Sequence, residues 1–439
     1  RPPRSTPKPS SAASDVYKRQ TLAHKYRETL PDGSISGGPM YYIENGLNMR
    51  WLAVLFSVCL LLMCLGTGNM PQISSIAVVM NDTFNIPKFI TGAVLAVLLW
   101  MVIIGGIKRI AQIASKLVPF MAFWYLVGSF AVIFSNYENI IPSLQSIFIH
   151  VFTPTAAVGG FLGASVAAAL TRGVNRGLYS NEAGQGSAPI AHASSKTENP
   201  IEEGMVSILE PFIDTIVICT ITGLVILSSG VWTEKFENRF EESAMCYLDG
   251  SYSDSNEADI SILQNYILSC SGPLAYSGEE IIQEGILSNS SITLMHNRSV
   301  SENVIYNEDG TLYSGPINII DGKLSTNNLT VIGDSLLLGA DLTSKAFSRS
   351  VFGVYGQYIV AIGLLLFAFS TAIAWSYYGD RATVHLFGER WIIYYRIIYV
   401  GAFFTAAVID TKIVWDIACL LYTSDAADEG LGVDLGGRR

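Results

Sequence analysis

Residues 153–193 are the stretch of the sequence with the strongest indication of chemistry. Pro154, Gly159, Gly160 and Gly163 interrupt an apolar run near its middle. In a membrane-spanning helix, such a break exposes backbone N–H and C=O groups that can bind a substrate and its coupling ion at mid-bilayer. Glycine also lets two helices pack closely, so these residues alone leave both interpretations open.

Uncharged hydrogen-bonding side chains occur within a second apolar run. Thr67, Asn69 and Gln72 lie in the segment CLGTGNMPQ, residues 64–72. At membrane depth such groups face either a cavity or another helix. They could therefore bind the amine or carboxylate of a zwitterion, or they could join two helices.

A third stretch, residues 367–381, combines hydroxyl groups with an aromatic ring. Ser370 and Thr371 are adjacent, and Trp375 lies one turn from Thr371 on the same helical face. Hydroxyl oxygens suit a hard cation such as sodium, and an indole can form a wall over a small aliphatic side chain. Alternatively, the two hydroxyls bond to the backbone of their own helix.

Ionisable groups are rare in the apolar runs. Glu210 and Asp214 are one turn apart and could relay protons, or they could lie at the membrane interface. Glu182 and His192 have no accompanying nucleophile or metal motif, so we expect no catalysis. The sequence therefore favours a binding or transport protein over an enzyme.

The elements that must position these residues are long apolar helices. Half of the 439 residues are hydrophobic and 15% are charged, whereas a soluble domain carries about a quarter charged residues. A helix needs about 20 apolar residues to cross the bilayer, because its backbone groups must be paired in lipid. We predict spans at 49–79, 89–107, 113–135, 141–176 (broken), 205–229, 352–378 and 390–410.

The net charge of -10 belongs to one segment. Residues 231–345 carry 17 acidic and 5 basic side chains, and the rest of the chain is slightly basic. Lysine and arginine mark every second connection between spans, so the positive-inside rule places residues 230–351 outside the cytoplasm.

This acidic insert contains short β-prone runs. Cys246 and Cys270 within it either pair as a disulfide or stay reduced. We expect no nucleic-acid partner.

Both ends of the chain look foreign to the rest. Residues 1–20 are polar and of low complexity, and residues 419–439 follow an apolar run that breaks off abruptly. Both resemble translated adapter or vector sequence, and neither fits the pattern of a signal peptide. We therefore set both aside as non-native tails.

Four stretches together resemble the alanine or glycine:cation symporter family: SGGPMYYIENGL at 36–47, GTGNMPQ at 66–72, TRGVNRGLYSNEAGQGSAPIAHA at 171–193 and FAFSTAIAWSYYGD at 367–380. The resemblance covers residues 21 to about 418 except the insert. It implies an all-α polytopic membrane protein, an incomplete leucine-transporter-type bundle of inverted repeats with a small β-containing extracytoplasmic insert. Residues 21–229 would hold the incomplete first repeat and the start of the second, and residues 352–418 the truncated remainder.

The resemblance also implies roles for individual residues. Gln72 and Trp375 would contact the amino acid, Ser370 and Thr371 would coordinate sodium, and the region of Gly159 and Gly160 would line the site. The substrate would be a small neutral amino acid, alanine or glycine, carried with sodium by alternating access.

One element of the family pattern is expected before residue 21. In the family, the first repeat also contributes a broken helix, so we expect the intact parent to transport and this chain alone not to.

The expected location is the bacterial inner membrane, with several spans in the lipid bilayer. Two alternatives stay open, a proton-coupled transporter with Glu210 or Asp214 as carrier, and a receptor that senses through the insert. The short cytoplasmic loops oppose the receptor, since they leave no room for a signalling module.

Overall fold

The computed structural model describes residues 11–31, 33–152, 182, 186–240, 242–263, 274–288, 291–308, 310–325, 329–409 and 413–414. The chain forms two compact units. The first comprises Arg1–Val127, Arg172–Gly223 and Ala361–Thr423. The second comprises Gly128–Thr171, Leu224–Val360 and Ser424–Arg439. Every candidate site residue discussed below that the structure describes belongs to the first unit.

Helices dominate the described residues. In chain order they are α1 Ser11–Lys25, α2 Pro39–Leu47, α3 Arg50–Gly66, α4 Met70–Phe84, α5 Lys88–Ile103, α6 Gly106–Ser135, α7 Ile140–Phe152, α8 Ala188–His192, α9 Pro200–Ser207, α10 Leu209–Pro211, α11 Cys219–Ser229, α12 Glu257–Leu263, α13 Gly339–Ser348, α14 Gly356–Phe387 and α15 Ile392–Val408.

Five helical stretches of the described residues are long and apolar enough to cross a membrane. They are Arg50–Asn81, Gly106–Ser135, Pro200–Ser229, Gly353–Phe387 and Glu389–Val408. The apolar helix Lys88–Ile103 is shorter. Each of the six coincides with a predicted span. The agreement is expected, because a helix needs about 20 apolar residues to cross the bilayer and both hydropathy and helix length reflect that requirement. Only the first part of the predicted broken span 141–176 is described, as α7, and Gly159 and Gly160 lie outside the described residues.

The first predicted span is divided into two helices. Helix α3 ends at Gly66 and α4 begins at Met70, so Thr67, Gly68 and Asn69 form a break. At the break the N–H of Gly68 bonds to Met63 O at 3.1 Å, five residues back instead of four. Pro71 has no N–H to continue the regular ladder, which favours a new helix start at this point.

The span 200–229 is also irregular. Phe212–Ile218 forms a π-helix between α10 and α11. It directly follows Pro211, which cannot donate a backbone hydrogen bond to the preceding turn. The wide turn contains Asp214, whose Oδ2 accepts a hydrogen bond from Thr215 Oγ1 at 3.3 Å. Turns of this kind are rare and frequently occur at functional sites.

Helices α3, α4, α5, α14 and α15 share one hydrophobic core in the first unit. Tyr399 and Phe403 on α15 and Leu99 on α5 are fully buried there. Their lipid-side neighbours, such as Val97 and Ile397, are exposed apolar residues, as expected for helices that face a bilayer. This core fixes the positions of the break at Thr67–Asn69 and of α14 beside it.

Residues 11–20, which we set aside as part of a tail, are helical. They form most of α1, which packs on α8 and α9. Gly204 on α9 allows this contact, because a Cβ at that position would lie 3.0 Å from Tyr17 O. The tail boundary at residue 20 stays a prediction.

Strands are concentrated in the insert. The strands of the described residues are β1 Glu28–Thr29, β2 Ile35–Ser36, β3 Lys235–Arg239, β4 Met245–Asp249, β5 Gly278–Gln283, β6 Ile286–Leu287, β7 Ile292–His296, β8 Ser299–Val300, β9 Glu302–Glu308, β10 Thr311–Leu312, β11 Gly315–Ile320, β12 Lys323–Leu324 and β13 Leu329–Leu336.

The insert strands form three antiparallel sheets, in the orders β10-β9-β13-β3, β12-β11-β5-β6 and β4-β7-β8. Tyr247, Tyr306 and Ile317 belong to the apolar core of the insert. The β-prone runs predicted from the sequence fall in these strands. Cys246 on β4 is disulfide-bonded, and its predicted partner Cys270 lies outside the described residues.

Candidate functional site

The break between α3 and α4 lies against the tryptophan of α14. A Cβ on Gly68 would lie 2.4 Å from Cγ and Cδ2 of Trp375, so the indole touches the backbone of the break. Trp375 is 4% exposed. Glycine is required here because any side chain would occupy the space of the indole. The structure thus brings together two sequence motifs that are about 300 residues apart.

Asn69 joins the break to α15. Its Nδ2 donates to Tyr399 O at 2.7 Å, and the Tyr399 hydroxyl donates to Ala372 O at 2.8 Å. This is the helix-joining role that the sequence left open. However, the buried Asn69 Oδ1 and Thr67 Oγ1 have no hydrogen-bond partner among the described residues. Buried polar atoms are normally paired, so these two oxygens are candidates for ligand contact.

Gln72 lies one turn beyond the break and is half-buried. Its Nε2 is 3.5 Å from Thr67 O, at the outer limit of a hydrogen bond. The hydrogen bond by which the Gln72 amide bridges the break is therefore weak. Its donors and its acceptor remain suitable for the carboxylate or amine of a zwitterion.

Ser370 and Thr371 both donate to the backbone of their own helix. Ser370 Oγ is 2.8 Å and Thr371 Oγ1 3.0 Å from Phe367 O. This contact matches the alternative interpretation of the sequence, in which the hydroxyls serve the helix. A hydroxyl that donates one hydrogen bond still keeps lone pairs on its oxygen, so cation coordination is compatible with the observed geometry.

Glu182, which the sequence analysis set aside together with His192, lies beside the candidate site. Its Oε2 accepts a hydrogen bond from Ser187 Oγ at 2.5 Å, and its carboxylate lies beside the indole N–H of Trp375. Burial raises the pKa of Glu182 to about 7; Glu210 and Asp214 raise it further, whereas Ser187 and Trp375 oppose the shift. The sequence places Glu182 within the long motif at 171–193, but nothing in the spacing indicates proximity to Trp375.

His192 at the end of α8 is held between two carboxylates. Its Nδ1 is 2.6 Å from Glu203 Oε1 and its Nε2 is 3.5 Å from Glu210 Oε2. Burial lowers the pKa of His192, but its interactions with Glu210 and Glu203 outweigh that effect and raise the pKa above its usual value. The cluster joins α8 to the helical stretch from Pro200 onward.

Together, the long apolar helices and the polar groups enclosed at a helix break define an integral membrane protein with several spans. Comparison with known proteins is more specific. The family model described as the sodium:alanine symporter family matches residues 11–272 and 323–426. The chain belongs to this family, which is a family of transporters and not of enzymes. The resemblance inferred from the four motifs is confirmed. The unmatched residues 273–322 fall inside the insert.

Curated relatives agree with this assignment. An uncharacterised transporter of Haemophilus influenzae is 32% identical over 92% of this chain and 66% of its own length. A protein named sodium/alanine symporter, from Methanococcus maripaludis, is 31% identical over 95% of this chain and 70% of its own length. A protein named putative sodium/proton-dependent alanine carrier, from Bacillus subtilis, is 38% identical over 50% of this chain and 44% of its length.

Proposed function

We propose that the transporter moves alanine or glycine into the cell together with sodium by alternating access. The observation that carries this proposal is the contact between Gly68 in the helix break and Trp375, one turn from Thr371, in a chain of the sodium:alanine symporter family. It brings a polar helix break, an aromatic wall and two hydroxyls into one region. The proposal includes the leucine-transporter-type arrangement of two inverted repeats.

The amino acid would lie against Trp375. Gln72 would hydrogen-bond to the zwitterion, and Thr67 and Asn69 would contribute the two oxygens that lack partners in the described residues. Trp375 would limit the size of the substrate side chain, which favours alanine and glycine over larger substrates. Gly159 and Gly160 would line the same site.

Sodium would be held by Ser370 and Thr371. Neutral hydroxyl oxygens fit a hard monovalent cation, and further oxygens from backbone carbonyls or the substrate carboxylate would complete its coordination. The transport energy would come from the sodium gradient, because cation and amino acid bind and cross together. These two residues therefore link the driving ion to the aromatic wall one turn away.

The proposed location is the bacterial inner membrane, with residues 230–351 on the extracytoplasmic side. The distribution of lysine and arginine supports this orientation. The disulfide at Cys246 supports it independently, because disulfides persist in oxidising compartments. Labelling of a single introduced cysteine in the insert by a membrane-impermeant reagent on intact cells would test it, and labelling only after lysis would contradict it.

Uptake of labelled alanine by cells that express the transporter tests the function. Replacement of sodium by choline should abolish uptake, and undiminished uptake would rule out sodium coupling. Ser370→Ala and Thr371→Ala should raise the half-saturating sodium concentration. Thr383→Ala is the matched control, because Thr383 Oγ1 makes the same kind of bond, 2.8 Å to Gly379 O, three turns further along α14.

The aromatic wall has a separate test. Trp375→Ala should weaken alanine uptake more than it lowers the amount of folded protein in the membrane. Equal losses in both measurements would favour a packing role for this residue.

Proton coupling is the second candidate function. The Bacillus relative named as sodium/proton-dependent favours it, as do Glu210 and Asp214 on one face of the span. Uptake measured with and without sodium across a range of pH separates the two functions. Sodium-independent uptake that increases at acid pH would favour the proton.

A further inference from the structure

Glu182 lies between the proposed substrate region and the cluster around His192. Its carboxylate accepts the hydroxyl of Ser187 at 2.5 Å and lies beside the indole N–H of Trp375. Both neighbours can donate to an ionised carboxylate, and the indole N–H of Trp375 cannot accept from a protonated one. These two contacts therefore favour the anionic form of the half-buried Glu182 side chain.

Other neighbours oppose the anionic form. Glu210 and Asp214 act on Glu182 from the helical stretch that follows α9, and both carry the same charge as Glu182. Electrostatic interactions also join Glu182 to Tyr378 on α14 and Cys64 on α3. Burial and these like charges outweigh the two donors and raise the pKa of Glu182 to about 7, so its protonated and ionised forms are close in free energy at neutral pH.

The position of Glu182 relative to the proposed sodium ligands follows from the helix geometry. Thr371 precedes Trp375 by four residues of the continuous helix α14, a rise of about 6 Å. Allowing for the length of the indole and of the side chains, a cation held by Ser370 and Thr371 would lie on the order of 10–15 Å from a carboxylate that borders Trp375. At that distance, in a poorly solvated region, the two charges interact appreciably.

We propose that Glu182 binds a proton in competition with the coupling cation. This inference rests on the proposed sodium-coupled function. When sodium occupies the hydroxyls of Ser370 and Thr371, its field favours the carboxylate. The O–H bond of Glu182 then breaks and the proton passes to water. In the reverse direction, protonation of Glu182 removes a favourable negative charge from the neighbourhood of the cation, which weakens sodium binding.

The size of the effect follows from the separation. A unit charge about 10–15 Å away, at an effective dielectric constant of about 20, shifts a pKa by about one unit. Linkage is reciprocal, so the affinity for sodium should change by the same factor. With a pKa of about 7 that bound sodium lowers by about one unit, we expect the half-saturating sodium concentration to be about fivefold higher at pH 6 than at pH 8.5.

The experiment measures sodium-dependent alanine uptake in proteoliposomes with equal pH on both sides. The half-saturating sodium concentration is determined between pH 6 and 8.5 for the intact transporter. Glu182→Gln should make it nearly independent of pH. Ser187→Ala removes a donor to the ionised carboxylate, so it should keep the pH dependence and move its midpoint to higher pH. This milder variant keeps the test valid if Glu182→Gln does not fold.

Two controls separate Glu182 from other titrating groups. His192→Gln removes the imidazole held between Glu203 and Glu210, and Glu202→Gln removes an exposed carboxylate on α9 that bonds to Thr197 and Asn199. Both should retain the roughly fivefold dependence. Loss of the dependence in His192→Gln but not in Glu182→Gln would overturn the inference.

Failure of the inference differs from failure of the proposed function. Sodium-dependent uptake with the same sodium affinity at every pH would overturn the proton site and leave sodium symport intact. Uptake that needs no sodium at any pH would overturn sodium symport, and with it the competition at Glu182. Sodium-driven release of protons from the intact transporter but not from Glu182→Gln, recorded with a pH-sensitive dye, would support the proposal directly.

Discussion

Gly68→Ala is a direct test of the contact between the helix break and α14. The added Cβ would lie 2.4 Å from Cγ and Cδ2 of Trp375 and 2.6 Å from its Cβ, whereas ordinary contacts begin at 3.4 Å. The indole or the break must therefore move by about 1 Å, in a core that is densely packed. Overpacking of this kind costs about 1–3 kcal/mol.

Two measurements should respond to Gly68→Ala. The unfolding temperature in detergent should fall by several degrees, and the half-saturating alanine concentration should rise because the indole is displaced. Gly401→Ala is the matched control, since Gly401 lies in the helix Ile392–Val408 and no atom would lie within 4 Å of its added Cβ. That substitution should be neutral or stabilise the helix by about 0.5–1 kcal/mol.

The comparison of the two variants decides the matter. If Gly68→Ala and Gly401→Ala have the same unfolding temperature and the same alanine affinity, the tight contact with Trp375 does not exist. Loss of stability without any change in alanine affinity would mean that the contact is real but that Trp375 does not touch the substrate.

Three further predictions concern ionisable groups outside the break. The buried Asp380 carboxylate lies 2.6 Å from Arg396, whose side chain is 12% exposed. Asp380→Asn removes the charge partner of this partly buried arginine and should lower the free energy of unfolding by about 3–5 kcal/mol. The double variant with Arg396→Met should lose less than the two single variants combined in thermal unfolding. Burial lowers the pKa of His296 to about 4. The insert should therefore lose up to about 3 kcal/mol of stability as pH falls from 6.5 to 4. Hydrogen exchange corrected for intrinsic rates should show this loss in the intact transporter but not in His296→Phe. Protonated His192, whose pKa is raised, stabilises the contacts with its two carboxylates below pH 6.5, and that stabilisation is lost as pH rises through the raised pKa. Protection of residues 186–193 from hydrogen exchange should therefore decline as pH rises above 6.5. In His192→Gln it should not vary with pH.

The apolar helices could be predicted from the sequence because the bilayer imposes a simple rule. A run such as Gly106–Ser135 must be helical to leave no backbone group unpaired in lipid, and it must contain at least about 20 residues to cross the bilayer. Hydropathy measures that requirement directly. The insert strands followed from the same kind of local pattern, as in Leu329–Leu336, where buried and less buried residues alternate.

The irregular helices could not be located in this way. The break at Thr67–Asn69 and the π-helix Phe212–Ile218 lie in runs that remain apolar on both sides. Each is adjacent to a proline, Pro71 or Pro211. A proline fixes only its own φ angle and removes one backbone N–H donor, so it does not determine the path of the helix. Whether the chain then kinks, widens or starts a new helix depends on the neighbours that pack against it. The same holds for Glu182, whose significance comes from a contact with a residue on a distant helix.

Asn69 shows why the residue types alone left two interpretations open. Its amide has a donor end and an acceptor end, and in the structure only the donor end is used, by Tyr399 O. An acceptor that is buried without a partner costs about 1–3 kcal/mol. If Asn69 served only to join α4 and α15, a side chain with a single donor would avoid that cost. Asn69 Oδ1 and Thr67 Oγ1 have no hydrogen-bond partner in the part of the chain that the structure describes, which supports the proposed second role, one that requires a ligand which donates a hydrogen bond or carries a positive charge. An α-ammonium group and a sodium ion both meet that requirement, whereas an apolar helix surface does not.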